Sequence, residues 1–366
     1  MPELWMRYGT SEVVLDVKAE NILKHARIVQ EPMREDALNS RFEAVDARVE
    51  GSSSAGTIDI VILDCSRVVV DIASRLIAYL EGKGKSIDNV YAIARCRVTG
   101  REAKPFKGID TIDGRTILIS RASLDPIFKY SCTATALLRH EPEMMKDVYS
   151  IFIGMDGSNS GYSKIKDMVD KSMQGNEFIS LEVLHGDHGL IDLLVCDTAG
   201  SYHEVSSRLE GLAYATDACR SIIASTGYSS RLSDALTALW NCSTILRKDG
   251  IIILMAECTE GLGAEALQML VEGRLIYSND HHSIDRYGYI DGLEYLHILK
   301  VMGERGYDIG LLTMLPELYV GALGFKPFRK VRDALAYILG RMGQRHKVMI
   351  VSDASIMPMR AEQAGE

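Results

Sequence analysis

The heptapeptide Gly250-Ile-Ile-Ile-Leu-Met-Ala256 is a continuous apolar run with three adjacent β-branched isoleucines. A run of this length and composition is typical of a strand that is buried on both faces of a parallel sheet. The shorter run Ser221-Ile-Ile-Ala-Ser225 precedes it, and the intervening residues 233–246 have helical periodicity. A strand, a helix and a second strand in this order predict a right-handed crossover within a parallel sheet.

The same alternation of strand and helix patterns extends from this stretch in both directions. Residues 57–63 predict a strand, residues 68–80 a helix and residues 90–94 a second strand, which together make another crossover unit. Toward the C-terminus, the helix pattern of residues 331–342 is followed by a strand pattern at 347–351. Further strands are predicted at residues 116–120, 148–153 and 190–196, and a further helix at residues 202–218. The sequence therefore predicts the α/β class, with largely parallel sheets.

The length of the chain predicts two domains. A single hydrophobic core rarely serves more than about 250–300 residues, and the chain has 366. We expect an N-terminal α/β domain over residues 1–215 and a C-terminal α/β domain over residues 216–366. The serines at 52–54 lie too early in the chain to divide two domains, and no other linker-like stretch marks the boundary.

Composition and charge exclude several classes of protein. Hydrophobic residues make up 47% of the chain and charged residues 25%, which excludes a disordered or fibrous protein. The net charge of -9 disfavours a nucleic-acid partner. No window approaches the roughly 20 apolar residues of a membrane span, and the first residues lack the apolar core of a secretory signal. We therefore expect a cytoplasmic protein with neither a membrane nor a nucleic acid as its partner.

The cysteines and histidines predict no metal site and no disulfide framework. The seven cysteines are scattered singly, without the short spacings of zinc sites, and are expected to be buried and reduced. Among the nine histidines, His185 with His188 and His281 with His282 are the only close sets, and neither has a third ligand at a recognisable spacing. No Gly-x-Ser-x-Gly elbow and no P-loop occurs, so serine hydrolases and nucleoside triphosphatases have no local support.

Ligands of open α/β sheets bind at the carboxyl ends of strands, where the next helix begins. Four loops meet this condition, at residues 64–67, 226–231, 257–263 and 352–355. In the first loop, Asp64 and Ser66 can orient a ligand hydroxyl, and Arg67 can form a bidentate pair with a carboxylate or phosphate. The alternative role for Asp64 or Ser66 is to cap the following helix, and both roles can hold together.

The second and third loops carry weaker signals. Gly227 and Tyr228 can present backbone amides to an anion, although a plain turn between strand and helix is more common. Glu257 opens the third loop, in which Gly261-Leu-Gly263 is too short to be a dinucleotide fingerprint. The predicted ligand-binding residues are therefore Asp64, Ser66, Arg67, Gly227, Tyr228 and Glu257. The predicted partner is a small anionic molecule, and no catalytic residue is assigned.

Several stretches together share a pattern with one known family. Tyr8-Gly9 precedes an alternating strand, the turn Asp64-Cys-Ser-Arg67 follows a buried strand, and Gly227-Tyr228 follows the run Ser221–Ser225. With residues 250–263 and 331–353, these stretches resemble the nickel-pincer lactate racemase family, most strongly over residues 220–355. The resemblance implies two α/β domains with an active site in the cleft between them. It also implies racemisation or epimerisation of 2-hydroxy acids by hydride abstraction onto a nickel-bearing pyridinium nucleotide.

The chain departs from this family's pattern at most catalytic positions. The family's Asp-x-Thr-Arg-Pro turn is matched by Asp64, Ser66 and Arg67, with Val68 in place of proline, so the resemblance implies that Arg67 faces a carboxylate or the cofactor. The family's Gly-x-His-Arg strand end, whose histidine accepts a proton, corresponds to residues 92–98, which contain no histidine. Residues 131–134 read Ser-Cys-Thr-Ala, where the family has a glycine-rich segment with a second histidine and the cofactor-anchoring lysine. Leu236 and Leu239 replace a glutamine and a lysine that contact substrate in the family.

These losses determine the predicted function. Loss of a general base costs typically 10²–10⁴-fold in rate, and arginine cannot replace it because arginine stays protonated. We therefore predict a divergent lactate-racemase-like protein that binds a small anionic ligand in the interdomain cleft, has no cofactor and has lost racemisation.

Two alternatives remain open. The first is an active nickel-pincer-dependent 2-hydroxy acid racemase or epimerase, with His140 and His185 or His188 as its histidines. The second is a non-catalytic regulatory or interaction subunit. These alternatives leave open whether the chain is an enzyme, in which case the resemblance implies an isomerase. No feature of the sequence sets the oligomeric state.

Overall fold

The computed structural model describes residues 4–51, 57–109, 115–155, 160–176, 178–228, 231–275 and 288–362. The chain divides into two compact units. The central unit is Gln30–Arg208, and the terminal unit combines the two ends of the chain, Met1–Val29 and Leu209–Glu366. One boundary lies close to the predicted division at residues 215 and 216, whereas the first 29 residues group with the C-terminal part of the chain. Strands and α-helices are numbered below in chain order.

The terminal unit is built on a six-stranded sheet whose pairings are all parallel. Its strands, in order across the sheet, are β18 (Lys326–Phe328), β17 (Asp308–Leu312), β16 (Leu246–Met255), β15 (Cys219–Ser225), β19 (Val348–Val351) and β3 (Ile22–Ala26). The stretch from Gly250 to Ala256 is buried throughout, as the predicted central strand requires. Because β3 pairs with β19, the N-terminal residues belong to this sheet.

The central unit is built on a second six-stranded sheet. Its strands, in order across the sheet, are β13 (Gly189–Asp197), β12 (Ile179–Gly186), β9 (Arg115–Arg121), β4 (Ile58–Ile62), β5 (Ile87–Ala92) and β8 (Lys104–Pro105). The pairing of β12 with β13 is antiparallel, and the other pairings are parallel. The two sheets confirm the predicted α/β class with largely parallel strands.

Short strands form four further pairs outside these sheets. The hairpins are β1 (Leu4–Tyr8) with β2 (Ser11–Leu15), β6 (Arg97–Val98) with β7 (Arg101–Glu102), and β10 (Ser123–Asp125) with β11 (Lys129–Ser131). The fourth pair is parallel and joins β14 (Tyr214–Thr216) to β20 (Met359–Ala361).

The helices pack apolar faces against the sheets. Those before residue 211 are α1 (Glu35–Gly51), α2 (Arg67–Gly82), α3 (Thr133–Leu138), α4 (Pro142–Ile153), α5 (Ser160–Ser172) and α6 (Thr198–Glu210). Those of the terminal unit are α7 (Leu232–Cys242), α8 (Glu265–Val271), α9 (Leu293–Glu304), α10 (Glu317–Ala322) and α11 (Val331–Met342). Helix α2 buries Val69, Ile72 and Leu76 at helical spacing in one core with Ile60 and Ile62 of β4. Of the helices that the structure describes, none has both the length and the apolar character that a membrane span requires.

Two predicted elements are wrong. Residues 148–153 were expected to form a strand and instead complete α4, which begins at Pro142 and buries Met145, Val148, Tyr149 and Phe152. Proline at the first helical position and burial at helical spacing outweigh the β-branched composition. The helix expected over residues 202–218 ends at Glu210, and β14 follows it.

Candidate functional site

The carboxyl edge of the central sheet carries the first predicted loop. Strand β4 ends at Ile62, and α2 begins at Arg67. Between them, Oδ1 of Asp64 accepts a hydrogen bond of 2.7 Å from the backbone amide of Ser66. Oδ2 of Asp64 lies 3.2 Å from Nε of Arg121, the last residue of the neighbouring strand β9. Both carboxylate oxygens of Asp64 therefore hold the loop in place, which is a turn-stabilising role and differs from the helix cap considered for this residue, because the bonded amide belongs to the N-cap residue itself.

Ser66 and Arg67 present hydrogen-bond donors at the start of α2. Ser66 is the N-cap residue, but its side chain makes no capping hydrogen bond. Its Oγ atom is buried, and none of the described residues hydrogen-bonds to it. The first-turn amides of α2 therefore lack a side-chain acceptor, and they carry the partial positive charge of a helix N-terminus. Arg67 adds an exposed guanidinium, with which none of the described residues forms an ion pair.

The α2 corner, defined as Asp64, Ser66 and Arg67, can therefore bind an anion. Carboxylates and phosphates accept hydrogen bonds from amide, hydroxyl and guanidinium groups. Arg121 compensates the negative charge of Asp64, since the two side chains are only 17% and 13% exposed. The guanidinium of Arg67 then contributes positive charge at the surface of the corner.

In the terminal unit, Gly227 and Tyr228 follow β15 and contact the β1–β2 hairpin. The amide of Gly9 donates a hydrogen bond of 3.1 Å to the carbonyl of Gly227. The amide of Gly227 donates to Oγ of Ser225 at 3.0 Å, so this amide is already engaged within the chain. The guanidinium of Arg7 lies 4.2 Å from the centroid of the Tyr228 ring, a cation–π arrangement. These contacts favour the plain structural role of this turn.

Glu257 follows β16 and faces the same hairpin. Its Oε2 accepts a hydrogen bond of 3.3 Å from the backbone amide of Thr10. A Cβ atom placed on Gly9 would lie 1.9 Å from Oε2, so only glycine allows the hairpin turn to approach this closely. The structure thus brings Glu257 together with Gly227 and with the Tyr8-Gly9 turn that the sequence singled out.

Tyr8 lies within this group as a half-buried phenol. Burial and, to a smaller extent, the nearby Cys258 and Glu257 raise its pKa to about 12, whereas Arg329 opposes the shift. A phenol with this pKa is protonated near neutral pH. Tyr8 can therefore donate a hydrogen bond to a ligand, but it does not serve as a general base.

Sequence reasoning missed the partners of the predicted residues. Arg121 pairs with Asp64, and Arg7 stacks on Tyr228. Arg329 follows β18 and donates to the carbonyl of Leu315 at 2.9 Å. A charged residue at the end of an apolar strand run was the available signal for Arg121, since residues 116–120 precede it directly. The residues paired with it across the sheet could not be read from that pattern.

The histidines of the alternative hypothesis lie in the central unit. The His140 ring meets the Phe106 ring edge-on, with centroids 5.4 Å apart. Phe106 follows β8, and its amide donates to the carbonyl of Ala92 at the end of β5. His140 therefore lies near the carboxyl edge of the central sheet. His185 lies on β12, His188 lies in the turn after it, and His281 and His282 lie outside the described residues.

The residues at the expected cofactor positions do not fit a nickel-pincer nucleotide. The segment after β5 presents no imidazole, in agreement with its sequence. In residues 131–134, the amide of Thr133 donates to Oε1 of Glu182 at 2.9 Å, and no amine or imidazole is present to anchor or ligate such a group. Across the described ranges, no three His, Cys, Asp or Glu side chains are grouped so that they could hold a metal ion.

With two largely parallel sheets and these loops at their carboxyl edges, the chain has a lactate-racemase-like α/β fold. The lactate racemase apoprotein from Thermoanaerobacterium thermosaccharolyticum superposes on it with a TM-score of 0.71 and 14% sequence identity, covering 98% of this chain and 100% of that one. A structural-genomics structure of a Thermotoga maritima protein superposes with a TM-score of 0.61 and 10% identity, covering 92% of this chain and 100% of that one. No protein-family model and no curated protein matches the sequence. At these identities, the similarity establishes the fold.

Proposed function

We propose that this chain is a divergent lactate-racemase-like protein that binds a small anionic ligand at the α2 corner and no longer catalyses nickel-dependent racemisation. The observation that carries the proposal is the combination of an uncapped helix N-terminus with the buried, unbonded Ser66 hydroxyl and the exposed Arg67 guanidinium. The fold similarity to a lactate racemase supports a carboxylate as the first class of anion to test.

We propose different roles for the six predicted residues. Arg67 and Ser66 contact the anion, and Asp64 positions them through its hydrogen bond to the Ser66 amide. Gly227, Tyr228 and Glu257 hold the β1–β2 hairpin within the terminal unit. These three residues have a structural role within the terminal unit, where the Tyr8 phenol is a hydrogen-bond donor.

The proposal is tested by isothermal titration with lactate, malate and inorganic phosphate. We expect Arg67→Ala to weaken binding at least tenfold, because a charge-assisted hydrogen bond contributes on the order of 1.5–3 kcal/mol. Lys146→Ala is the control, since Lys146 is an exposed cation of the same unit with which none of the described residues forms an ion pair. Equal affinity of the wild type and Arg67→Ala for every anion that binds would refute the role of Arg67.

The loss of racemisation is tested separately. The chain is produced together with the enzymes that make the nickel-pincer nucleotide, and nickel content, intact mass and lactate racemisation are measured. We expect no stoichiometric nickel, no lysine adduct and no racemisation. Nickel at one atom per chain with a covalent lysine adduct would instead establish the active racemase, and His140→Ala would then test the histidine nearest the central sheet edge.

A protein that binds an anion without catalysis would also suit the third hypothesis, a regulatory or interaction subunit. The net charge of -9 supports a partner other than nucleic acid. A cytoplasmic location remains part of the proposal, supported by cysteines that are free throughout the described residues.

A further inference from the structure

Two cysteines that are distant in sequence lie side by side in the central unit. Cys65 directly follows Asp64, and Cys96 lies in the loop between β5 and β6. Cys96 is close enough to Cys65 to raise the pKa of the Cys65 thiol. Sγ of Cys65 also lies 3.5 Å from the carbonyl oxygen of Ala94. Both cysteines are partly exposed, whereas the other five are buried.

The topology of the sheet explains this proximity. Strands β4 and β5 are parallel neighbours, and Ile62 is opposite Ala92 at their carboxyl ends. The amide of Ile93 donates a hydrogen bond to the carbonyl of Ile62, so the segments that follow β4 and β5 leave the sheet side by side. Cys65 lies three residues beyond Ile62 and Cys96 four residues beyond Ala92, so short loops from neighbouring strand ends carry both thiols to the same edge of the sheet.

We infer that Cys65 and Cys96 form a redox-active dithiol, which a small-molecule disulfide such as glutathione disulfide oxidises to an intramolecular disulfide. In the first step, the thiolate of one cysteine attacks the small disulfide, and one small thiolate leaves. In the second step, the thiolate of the other cysteine attacks the mixed disulfide, and the second small thiolate leaves. Two protein thiols lose two electrons and their protons, and one small disulfide becomes two thiols.

The order of attack follows from the surroundings of the two thiols. Burial raises the pKa of Cys65 to about 12, with Cys96 and Asp64 adding to the shift. A thiol with this pKa is rarely ionised near neutral pH, and the thiolate is the nucleophile. Cys96 lies between Arg95, which pairs with Glu102 at 2.7 Å, and the exposed Arg97, whose positive charge attracts an anionic oxidant. We therefore assign the first attack to Cys96 and the second to Cys65.

The oxidised bond would fix the backbone directly beside the α2 corner, because Cys65 lies between Asp64 and Ser66. The inference itself concerns the thiols and does not depend on anion binding at that corner. Its failure and the failure of the proposed function are therefore separate results.

The test uses the reduced full-length chain, incubated with glutathione disulfide, alkylated and digested with trypsin without reduction. Trypsin cuts after lysine and arginine, so the expected linkage joins peptide 49–67 to dipeptide 96–97. We expect this linked species in most of the folded chains and no linkage among the five buried cysteines. Glutathione adducts on Cys65 or Cys96 without the linked species, or no modification of either, would overturn the inference.

A second probe measures the proximity of the thiols without oxidation. Phenylarsine oxide binds pairs of close thiols, and we expect one equivalent per reduced chain. Cys65→Ser and Cys96→Ser should each abolish this binding and leave the circular dichroism spectrum unchanged. Arsenical binding that persists in both variants would assign it to other cysteines and overturn the proposed pair.

Discussion

The backbone amide of Ser66 donates a hydrogen bond of 2.7 Å to Oδ1 of Asp64, two residues earlier in the chain. This bond sets the turn that leads from β4 into α2. Because Oδ2 of the same carboxylate faces Arg121 at 3.2 Å, the turn is also attached to the neighbouring strand β9. The positions of Ser66 and Arg67 therefore depend on a residue that need not touch a ligand itself.

Substitutions of Asp64 separate these two functions of its carboxylate. Asp64→Asn keeps an oxygen acceptor for the Ser66 amide and removes the charge that faces Arg121, whereas Asp64→Ala removes both. We expect the anion affinity to fall in the order wild type, Asn variant, Ala variant, and the Ala variant to lose about 1–3 kcal/mol of stability. Isothermal titration and chemical unfolding measure the two effects. Tighter anion binding by Asp64→Ala would contradict the positioning role.

Ser66→Ala tests whether the serine hydroxyl serves the ligand or the helix. An N-cap serine usually contributes about 1 kcal/mol to stability through its hydrogen bond to the first turn. Ser66 makes no such bond, and its hydroxyl is buried without a described partner. We therefore expect Ser66→Ala to leave the stability unchanged or slightly higher and to weaken anion binding severalfold. A loss of stability near 1 kcal/mol with unchanged affinity would restore the ordinary capping role.

The sequence predicted best those elements whose signal is local. The isoleucine-rich runs of β4 and β16 are buried on both faces, so composition alone identifies them. The segment from Val148 to Ile153 has a similar composition, but its buried residues continue a helical spacing that starts at Met145. A six-residue window contains too little of that spacing to show it.

The candidate site was predictable only where its residues are neighbours in the chain. Asp64, Ser66 and Arg67 follow one strand, and the rule that loops at carboxyl strand ends bind ligands identified them. The pairs Asp64 with Arg121 and Cys65 with Cys96 depend on strand order in the sheet. Strand order is set by packing between distant segments, which the periodicity of one sequence does not encode.

Gly9→Ala tests the contact between the β1–β2 hairpin and Glu257. Gly9 has a φ of 58°, and an added Cβ would lie 1.9 Å from Oε2 of Glu257. We expect a loss of more than 2 kcal/mol, because overpacking adds to the cost of a left-handed alanine. Gly84→Ala is the matched control, since Gly84 has a φ of 79° and nothing lies within 4 Å of its added Cβ. Thermal unfolding measures both variants, and equal losses would show that Glu257 moves aside without cost.

Glu182→Gln tests a buried carboxyl group on β12 of the central unit. Oε1 of Glu182 accepts hydrogen bonds from the amide of Thr133 at 2.9 Å and from its hydroxyl at 2.6 Å. Oε2 is buried and has no partner among the described residues. Burial raises the pKa of Glu182 from 4.5 to about 8, and the bonds from Thr133 oppose the shift. The folded chain therefore holds a proton that the unfolded chain has already lost between these two pH values.

The sign of the resulting pH dependence follows from this difference in bound protons. Stability falls as the pH rises from about 4.5, because the unfolded state binds fewer protons than the folded state, and it levels off above about 8. Glutamine keeps the acceptor oxygen and cannot ionise, so Glu182→Gln should match the wild type below about pH 4.5 and exceed its stability above about pH 8. Amide hydrogen exchange in β12 and α3 measures this locally, and Glu43→Gln, an exposed glutamate of α1, is the matched control. If the stability of the wild type and of Glu182→Gln changed with pH in the same way, Glu182 would be ionised in the folded protein, with a cation or water at Oε2.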